Sequence, residues 1–409
     1  ITQAGAYDWT VTYEVEVCNI GTANGLYDLS DTPAFDDDIV INSANYTTDA
    51  SGNVGNPGPA MLMGPGPWAL GDDMTLAPDA CHVYTIEVEV TLDLEDDASI
   101  GDESYEACGS GNGGMSGPGE GLYNEASLDT NNDGADDITD SDCGDLPVIS
   151  HDKELTSITQ TDARSWEVKY TISVTNDGGA QGTYDLNDEI AFDDDITVTC
   201  VRYTSTANGN PNNPGPTMGM DLVGPWTLAD DQSIDANTTD TYCIIFCVDM
   251  DLNSAATPGD GNYDACGSNA LNDPQAGEGL YNQSSLDLDD DGVAEEVDEA
   301  CGDLPNVYHE KTATGFVAMP NGNHMVTYEL CVYNNGGADG NYDLYDEPIF
   351  DDDIEIIASA SSCNVGGVNG ALTIPVPTGG WLLLDDQDIS AGTSQCCTID
   401  IEVNIDTAP

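Results

Sequence analysis

The sequence predicts an all-β protein of tandem antiparallel β-sandwiches, and three observations carry that expectation. In "WTVTYEVEV" (9–17), Trp9, Val11, Tyr13, Val15 and Val17 alternate with Thr and Glu, the period of a half-buried strand. Similar short runs, rich in β-branched and aromatic residues, recur between turns of Gly, Asn, Asp and Pro, as in a sandwich. No segment carries a convincing helical period.

The strands belong to a repeat. "GLYDLSDTPAFDDDI" (25–39), "GTYDLNDEIAFDDDI" (182–196) and "GNYDLYDEPIFDDDI" (340–354) are one segment; Tyr184 follows Tyr27 by 157 positions and Tyr342 follows Tyr184 by 158. Upstream of each stands a strand such as "VKYTISVTNDG" (168–178). Downstream come Trp68, Trp226 and Trp381, an Asp-Asp pair and a closing strand. Two copies add a block ending in "CGDLP", at 103–147 and 261–305. The expected domains are therefore 1–147, 148–305 and 306–409. The first lacks the opening "HDKELTS"-type strand and the third lacks the closing "LYNxxSLD" strand. This phase, with Ile1 in place of Met, reads as a window from a longer or processed chain, or as subunits that share strands.

Composition narrows the partners. There are 77 acidic and 5 basic residues among 409, a formal charge of -72. Nucleic acids and anionic membranes require clustered Lys and Arg, and no apolar run is long enough for a membrane helix. A hydrophobic fraction of 39% argues against disorder. Thirteen cysteines suggest an oxidising, extracellular compartment.

The ordered set "YTISVTNDGG", the Asp at Asp31, Asp188 and Asp346, the Trp-x-Leu strand and "LYNxxSLD" resembles a bacterial extracellular Ig-like conserved repeat, the type catalogued as domain of unknown function eleven. That resemblance implies Ig-like sandwiches, mostly spacers in surface proteins and adhesins. It also places Lys153 and Lys311 where the family commonly carries a first-strand lysine. Such a lysine can pair with surrounding acids, the expected role here, or form an internal amide with an asparagine.

The strongest chemical motif is Asp129-x-Asn131-x-Asp133-Gly134, with Asp137 and Asp140 at positions 9 and 12 and the Ala135 carbonyl at 7. Its twin is Asp287, Asp289, Asp291, Val293, Glu295 and Asp298. Oxygen ligands at 1, 3, 5, 7, 9 and 12 with Gly at 6 form a calcium-loop pattern. The loops resemble those of dockerins and thrombospondin-type repeats. Pro147 and Pro305 follow too soon for an exiting helix, so Ca2+ is expected to stiffen the junctions between sandwiches. Further acids recur on neighbouring turns: Asp28, Asp31, Asp36, Asp37, Asp38, Asp72 and Asp73; Asp185, Asp188, Asp193, Asp194, Asp195, Asp230 and Asp231; Asp343, Asp346, Asp351, Asp352, Asp353, Asp385 and Asp386. Each close like-charge pair costs about 1 kcal/mol in water. If the turns share one end of the sandwich, a divalent cation there would relieve that repulsion.

Cys108 and Cys143, like Cys266 and Cys301, stand 35 positions apart in one frame and read as disulfides, each worth about 4 kcal/mol on the chain-entropy model. A zinc site lacks histidines at ligand spacing. Of the rest, Cys18 suits Cys81, Cys200 suits Cys243 or Cys247, and Cys331, Cys363, Cys396 and Cys397 supply two more pairs. Asn45, Asn237 and Asn282 begin glycosylation sequons. No nucleophile-base pair, phosphate loop or zinc-hydrolase motif appears, so no enzyme is expected. The expectation is a structural subunit of a calcium-stabilised extracellular filament or stalk, whose partners are copies of itself or further repeats. An adhesin for a glycan or protein ligand is the alternative, its best candidate loops being 56–68 and 213–226.

Overall fold

The computed structural model describes residues 1–94, 101–111, 114–213, 220–250, 259, 261–268 and 273–405. Among them there is no helix, and every strand pairing is antiparallel.

The first sandwich contains β1 (Thr2–Gln3), β2 (Asp8–Cys18), β3 (Gly25–Pro33), β4 (Ile39–Thr48), β5 (Ala60–Leu62), β6 (Trp68–Leu76), β7 (Cys81–Leu92), β8 (Asn124–Asp129) and β9 (Ile138–Asp142). One sheet runs β1-β2-β7-β4-β5 and the other β6-β3-β8-β9. Trp9, Tyr27, Tyr46, Trp68, Tyr84 and Ile86 from both sheets meet in one core. Alternation does this work: the inward residues of a period-two strand bury their apolar surface and the outward Thr and Glu stay in water.

The second sandwich repeats the plan with β10 (Ile149–Asp162), β11 (Ser165–Asn176), β12 (Gly182–Ile190), β13 (Ile196–Ser205), β14 (Trp226–Ile234), β15 (Thr238–Met250), β16 (Asn282–Asp287) and β17 (Glu296–Ala300). Its sheets are β10-β11-β15-β13 and β14-β12-β16-β17. The third has β18 (Val307–Ala318), β19 (His324–Asn334), β20 (Gly340–Asp346), β21 (Ile354–Cys363), β22 (Gly370–Ala371), β23 (Trp381–Ile389) and β24 (Thr393–Ile405). Among the described residues its second sheet holds β20 and β23. The cores divide at Pro147 and Pro305. Among the described residues, the edge of β2 that β10 and β18 cover in the other copies meets the two residues of β1.

Neither β9 nor β17 is marked by a strand pattern in the sequence. "ITDSD" in β9 is exposed throughout, with no apolar alternation to announce a strand. The hairpin imposes it: the acidic loop turns the chain back, and β9 takes up the free edge of β8.

Six disulfides form: Cys18–Cys81, Cys108–Cys143, Cys200–Cys247, Cys266–Cys301, Cys331–Cys396 and Cys363–Cys397. Four of these join cysteines that face each other across neighbouring strands. Cys243 alone is left, on the outward face of β15. The number of crosslinks marks folding in an oxidising compartment outside the cytoplasm. No helix among the described residues is long and apolar enough to cross a membrane. A thiol assay on the denatured, unreduced chain should find one thiol; three would mean that one of these bridges does not form.

Candidate metal centres and buried acids

Each acidic loop closes a hairpin, β8–β9 or β16–β17. Asp287, the last residue of β16, accepts backbone N–H bonds from Asp289 at 3.2 Å, Asp290 at 2.9 Å and Gly292 at 2.8 Å. Gly292 has φ 82°, a conformation that glycine adopts without a Cβ clash. Glu295 reaches back to the Leu288 N–H at 2.7 Å. The loop thus draws Asp287, Asp289, Asp291 and Glu295 together, with carboxylate oxygens within 4.8 Å of one another. Burial and the neighbouring Asp287 and Asp289 charges push the Glu295 carboxyl up. A hard dication among these oxygens would remove that repulsion, and this donor set fits calcium.

The first loop has the same frame. Asp129 accepts from Asn131, Asn132 and Gly134 at 3.0, 2.7 and 2.9 Å, and these amides hold its carboxyl below the usual range. Asp137 takes the Thr130 N–H at 2.9 Å and the Asn131 amide at 3.1 Å. Asp133 accepts from the N–H of Ala135 at 3.0 Å.

Position 12 departs from the expected pattern. Asp140 and Asp298 lie along β9 and β17, opposite Ala126 and Ser284, beyond the loop tip. Asp298 instead accepts the Lys153 backbone N–H at 2.6 Å, and Glu296 accepts that of His151 at 3.2 Å. Both satisfy donors of β10.

The recurring acids do not share one end of the sandwich. Asp28 pairs with Asp129, and Pro33 with Asn124, so Asp28 and the Asp36–Asp38 turn are separated by more than five residues of strand, roughly 17 Å. At the loop end, Asp72 and Asp73 form a bulge opposite Asp28. The Asp73 N–H donates to Asp28 at 2.6 Å, and Asn132 reaches Asp73 at 2.7 Å. Asp185 and Asp343 hold the N–H groups of Asp231 and Asp386 in the same way, at 2.5 and 2.8 Å. Asp73, Asp231 and Asp386 have φ between 46° and 51°, a left-handed conformation that Asp tolerates better than most residues. Their neighbours Asp72, Asp230 and Asp385 face solvent.

At the opposite end, backbone amides hold the first two Asp triplets. Asp36 accepts from Glu106 at 2.8 Å and Asp38 at 3.0 Å; Asp38 accepts from Glu103 at 3.1 Å and Ser104 at 2.9 Å. Asp193 and Asp195 repeat this with donors from Asp264 and Gly261. The middle residues, Asp37 and Asp194, face solvent. Burial pushes Asp36 and Asp193 up to about 6. Asp351, Asp352 and Asp353 are all exposed.

The two ends meet at the junction. The Gln3 amide donates to the Leu288 carbonyl at 3.0 Å, Ala6 packs on the second core, and the Tyr7 hydroxyl lies 3.5 Å from Glu296. The loop of the second sandwich therefore points back at the first, not forward along the chain. Tyr105 secures the exit strand by accepting the Leu146 N–H at 2.8 Å and donating to Asp145 at 3.2 Å. A cleft of about 820 Å³ opens at this junction, lined by Tyr7, Tyr105, Val148, Asp177, Leu288 and Glu295.

A third feature lies inside the sandwiches. Lys153 and Asp188 form an ion pair with both side chains fully buried, as the acid-pairing expectation had it, and Lys311 pairs with Asp346 in the third copy. Residues 1–147 contain no Lys or Arg. Asp31, wholly buried, has only the Asn124 amide at 3.1 Å, and burial raises it to about 6.

Among the sequons, Asn282 is fully buried on β16 and is closed to a glycosyltransferase. Asn237 is exposed and Asn45 half-buried. In the candidate adhesive loops, Met61 and Met63 project into solvent; residues 214–219 lie outside the described residues.

No protein-family profile matches the chain, and no curated protein matches it. Among solved structures it has a faint likeness to the exo-chitosanase CsxA of Amycolatopsis orientalis, at 9% identity and TM-score 0.18, covering 78% of this chain and 27% of that one. A Corynebacterium diphtheriae protein described as membrane anchored gives 11% identity and TM-score 0.16, covering 100% and 82%. Neither likeness bears on activity or partners.

Proposed function

We propose that the chain is a structural segment of a calcium-stabilised extracellular filament or surface stalk, of the Ig-like repeat type, and not an enzyme. The observation that supports it is the seating of the second acidic loop, with its four converging carboxylates, against the N-terminal segment of the preceding sandwich. Calcium held by Asp287, Asp289, Asp291 and Glu295 would fix both the hairpin and the surface that Gln3 and Tyr7 touch. The first loop, exposed throughout residues 130–137, would make the same contact with a preceding repeat or another copy. Repeats that contact only their neighbours form rods whose stiffness resides in the junctions.

Small-angle scattering tests this directly. Calcium should give the profile of a stiff rod, and chelation should broaden the distribution of end-to-end lengths. Identical profiles would remove calcium from the mechanics. A second reading, an adhesin for a glycan or protein ligand through loops shaped by calcium, is favoured by the exposed Met61 and Met63.

A further inference from the structure

Within the second sandwich three buried side chains of different chemistry meet. Lys153 extends from β10 in one sheet to Asp188 on β12 in the other, and both side chains are fully buried. Asp188 pairs with Ser284 and Ile190 with Asn282, so Asp188 and Asn282 are diagonal neighbours on one sheet face. The Asn282 amide lies against the Asp188 carboxyl. Neither its Nδ2 nor its Oδ1 has a well-formed hydrogen bond, and nor has Asp188 Oδ2. A fully buried amide left so poorly satisfied is costly and asks for a reason. Tyr170 lies 5.4 Å below the Lys153 Nζ, and it packs on Phe246, as does Trp226.

We propose that Lys153 and Asn282 become joined by an amide bond, formed by the protein itself with Asp188 as the proton carrier. Burial disfavours charge on both members of the pair, pushing the Lys153 ammonium down and the Asp188 carboxyl up. Transfer of one proton along their hydrogen bond gives a neutral amine facing a carboxylic acid. The Nζ lone pair attacks Cγ of Asn282 while Asp188 donates its proton to Oδ1. Asp188 then takes a proton from the attacking nitrogen and passes it to Nδ2. The Cγ–Nδ2 bond breaks, ammonia departs, and the carbonyl reforms as Oδ1 returns its proton to Asp188. One C–N bond replaces another, with no oxidant, reductant or cofactor.

The other two sandwiches each hold two of the three groups. The first has Asp31 with Asn124 bonded to it and no Lys or Arg in residues 1–147. The third has Lys311 with Asp346, and among the described residues its β20 pairs with β23 alone. The described residues therefore bring all three groups together at one site. The bond would tie the opening strand β10 to β16, so that tension along the chain would bypass most strands between them.

Mass spectrometry of the denatured, reduced chain decides the matter. The expected mass is that of the sequence less one ammonia, with a protease digest containing one branched peptide that joins Lys153 to Asn282. Lys153→Met, Asp188→Ala and Asn282→Ala should each restore the full mass, while Asn282→Asp should crosslink with loss of water in place of ammonia. A folded wild-type chain at full mass would overturn the proposal. So would a loss of ammonia without the branched peptide, since asparagine cyclisation alone produces that change. Because the wild-type reading decides, a variant that fails to fold leaves the test intact.

Discussion

Chelating calcium should lower the melting temperature of this protein by about 5–10 °C. A site filled at a hundredfold excess over its dissociation constant stabilises by about 2.7 kcal/mol, and each kcal/mol moves a domain of this size by about 2–4 °C. The second sandwich should respond most, because its loop gathers four carboxylates that repel one another without a cation. Combining Asp289→Ala with Asp291→Ala should remove most of the calcium response and raise the melting temperature in chelator, where the repulsion is relieved. Asp140→Ala should leave calcium affinity unchanged, since Asp140 lies along β9 away from the tip. Melting curves that superimpose with and without chelator would defeat the calcium reading.

One chemical change should have opposite signs in two sandwiches. Asp188→Asn removes the counter-charge of a fully buried lysine and should cost about 3–5 kcal/mol. Asp31→Asn should stabilise the first sandwich by about 1–3 kcal/mol, because Asp31 is buried with no cation and its carboxyl already sits at about 6. Asn can keep the hydrogen bond to Asn124 without the charge. The pH dependence follows from the same groups. Asp31, Asp36 and Asp193 all have folded pKa values raised to about 6, so the native state binds protons more tightly than the unfolded chain. Their contribution is complete below about 4 and is lost as pH rises through about 6. In calcium-free buffer the protein should therefore melt higher at pH 5 than at pH 7, and Asp31→Asn should reduce that difference. A higher melting temperature at pH 7 would contradict the burial of these three acids.

Much of the architecture was legible because the responsible signals are local or repeated. Period-two alternation marked the strands, and the repeat led to the expectation of three units; the described residues form three hydrophobic cores. The Cys108–Cys143 and Cys266–Cys301 bridges followed from a shared frame, and Cys18–Cys81 from position. The choice between Cys243 and Cys247 did not, since only the register of β13 against β15 sets Cys200 opposite Cys247. The acids were harder. With 77 of them, spacing alone cannot separate a ligand from a hydrogen-bond acceptor. Asp298 fits a calcium loop by count and serves β10 by geometry.

Periods and turn residues alone dictate the strands, the repeat, and the tips where Asp287, Asp289, Asp291 and Glu295 gather, because those side chains belong to one short turn whose glycine permits the bend. Whatever depends on which strand lies beside which came only with the packed fold. It placed the Asp triplets and the calcium-type loops at opposite ends, gave the first two triplets backbone amides from a segment some 70 residues downstream, and turned the second loop toward the sandwich before it. It also brought Lys153, Asp188 and Asn282 together across two sheets. A charge buried away from solvent is governed by its nearest neighbours, and in a sandwich those neighbours are distant in the chain.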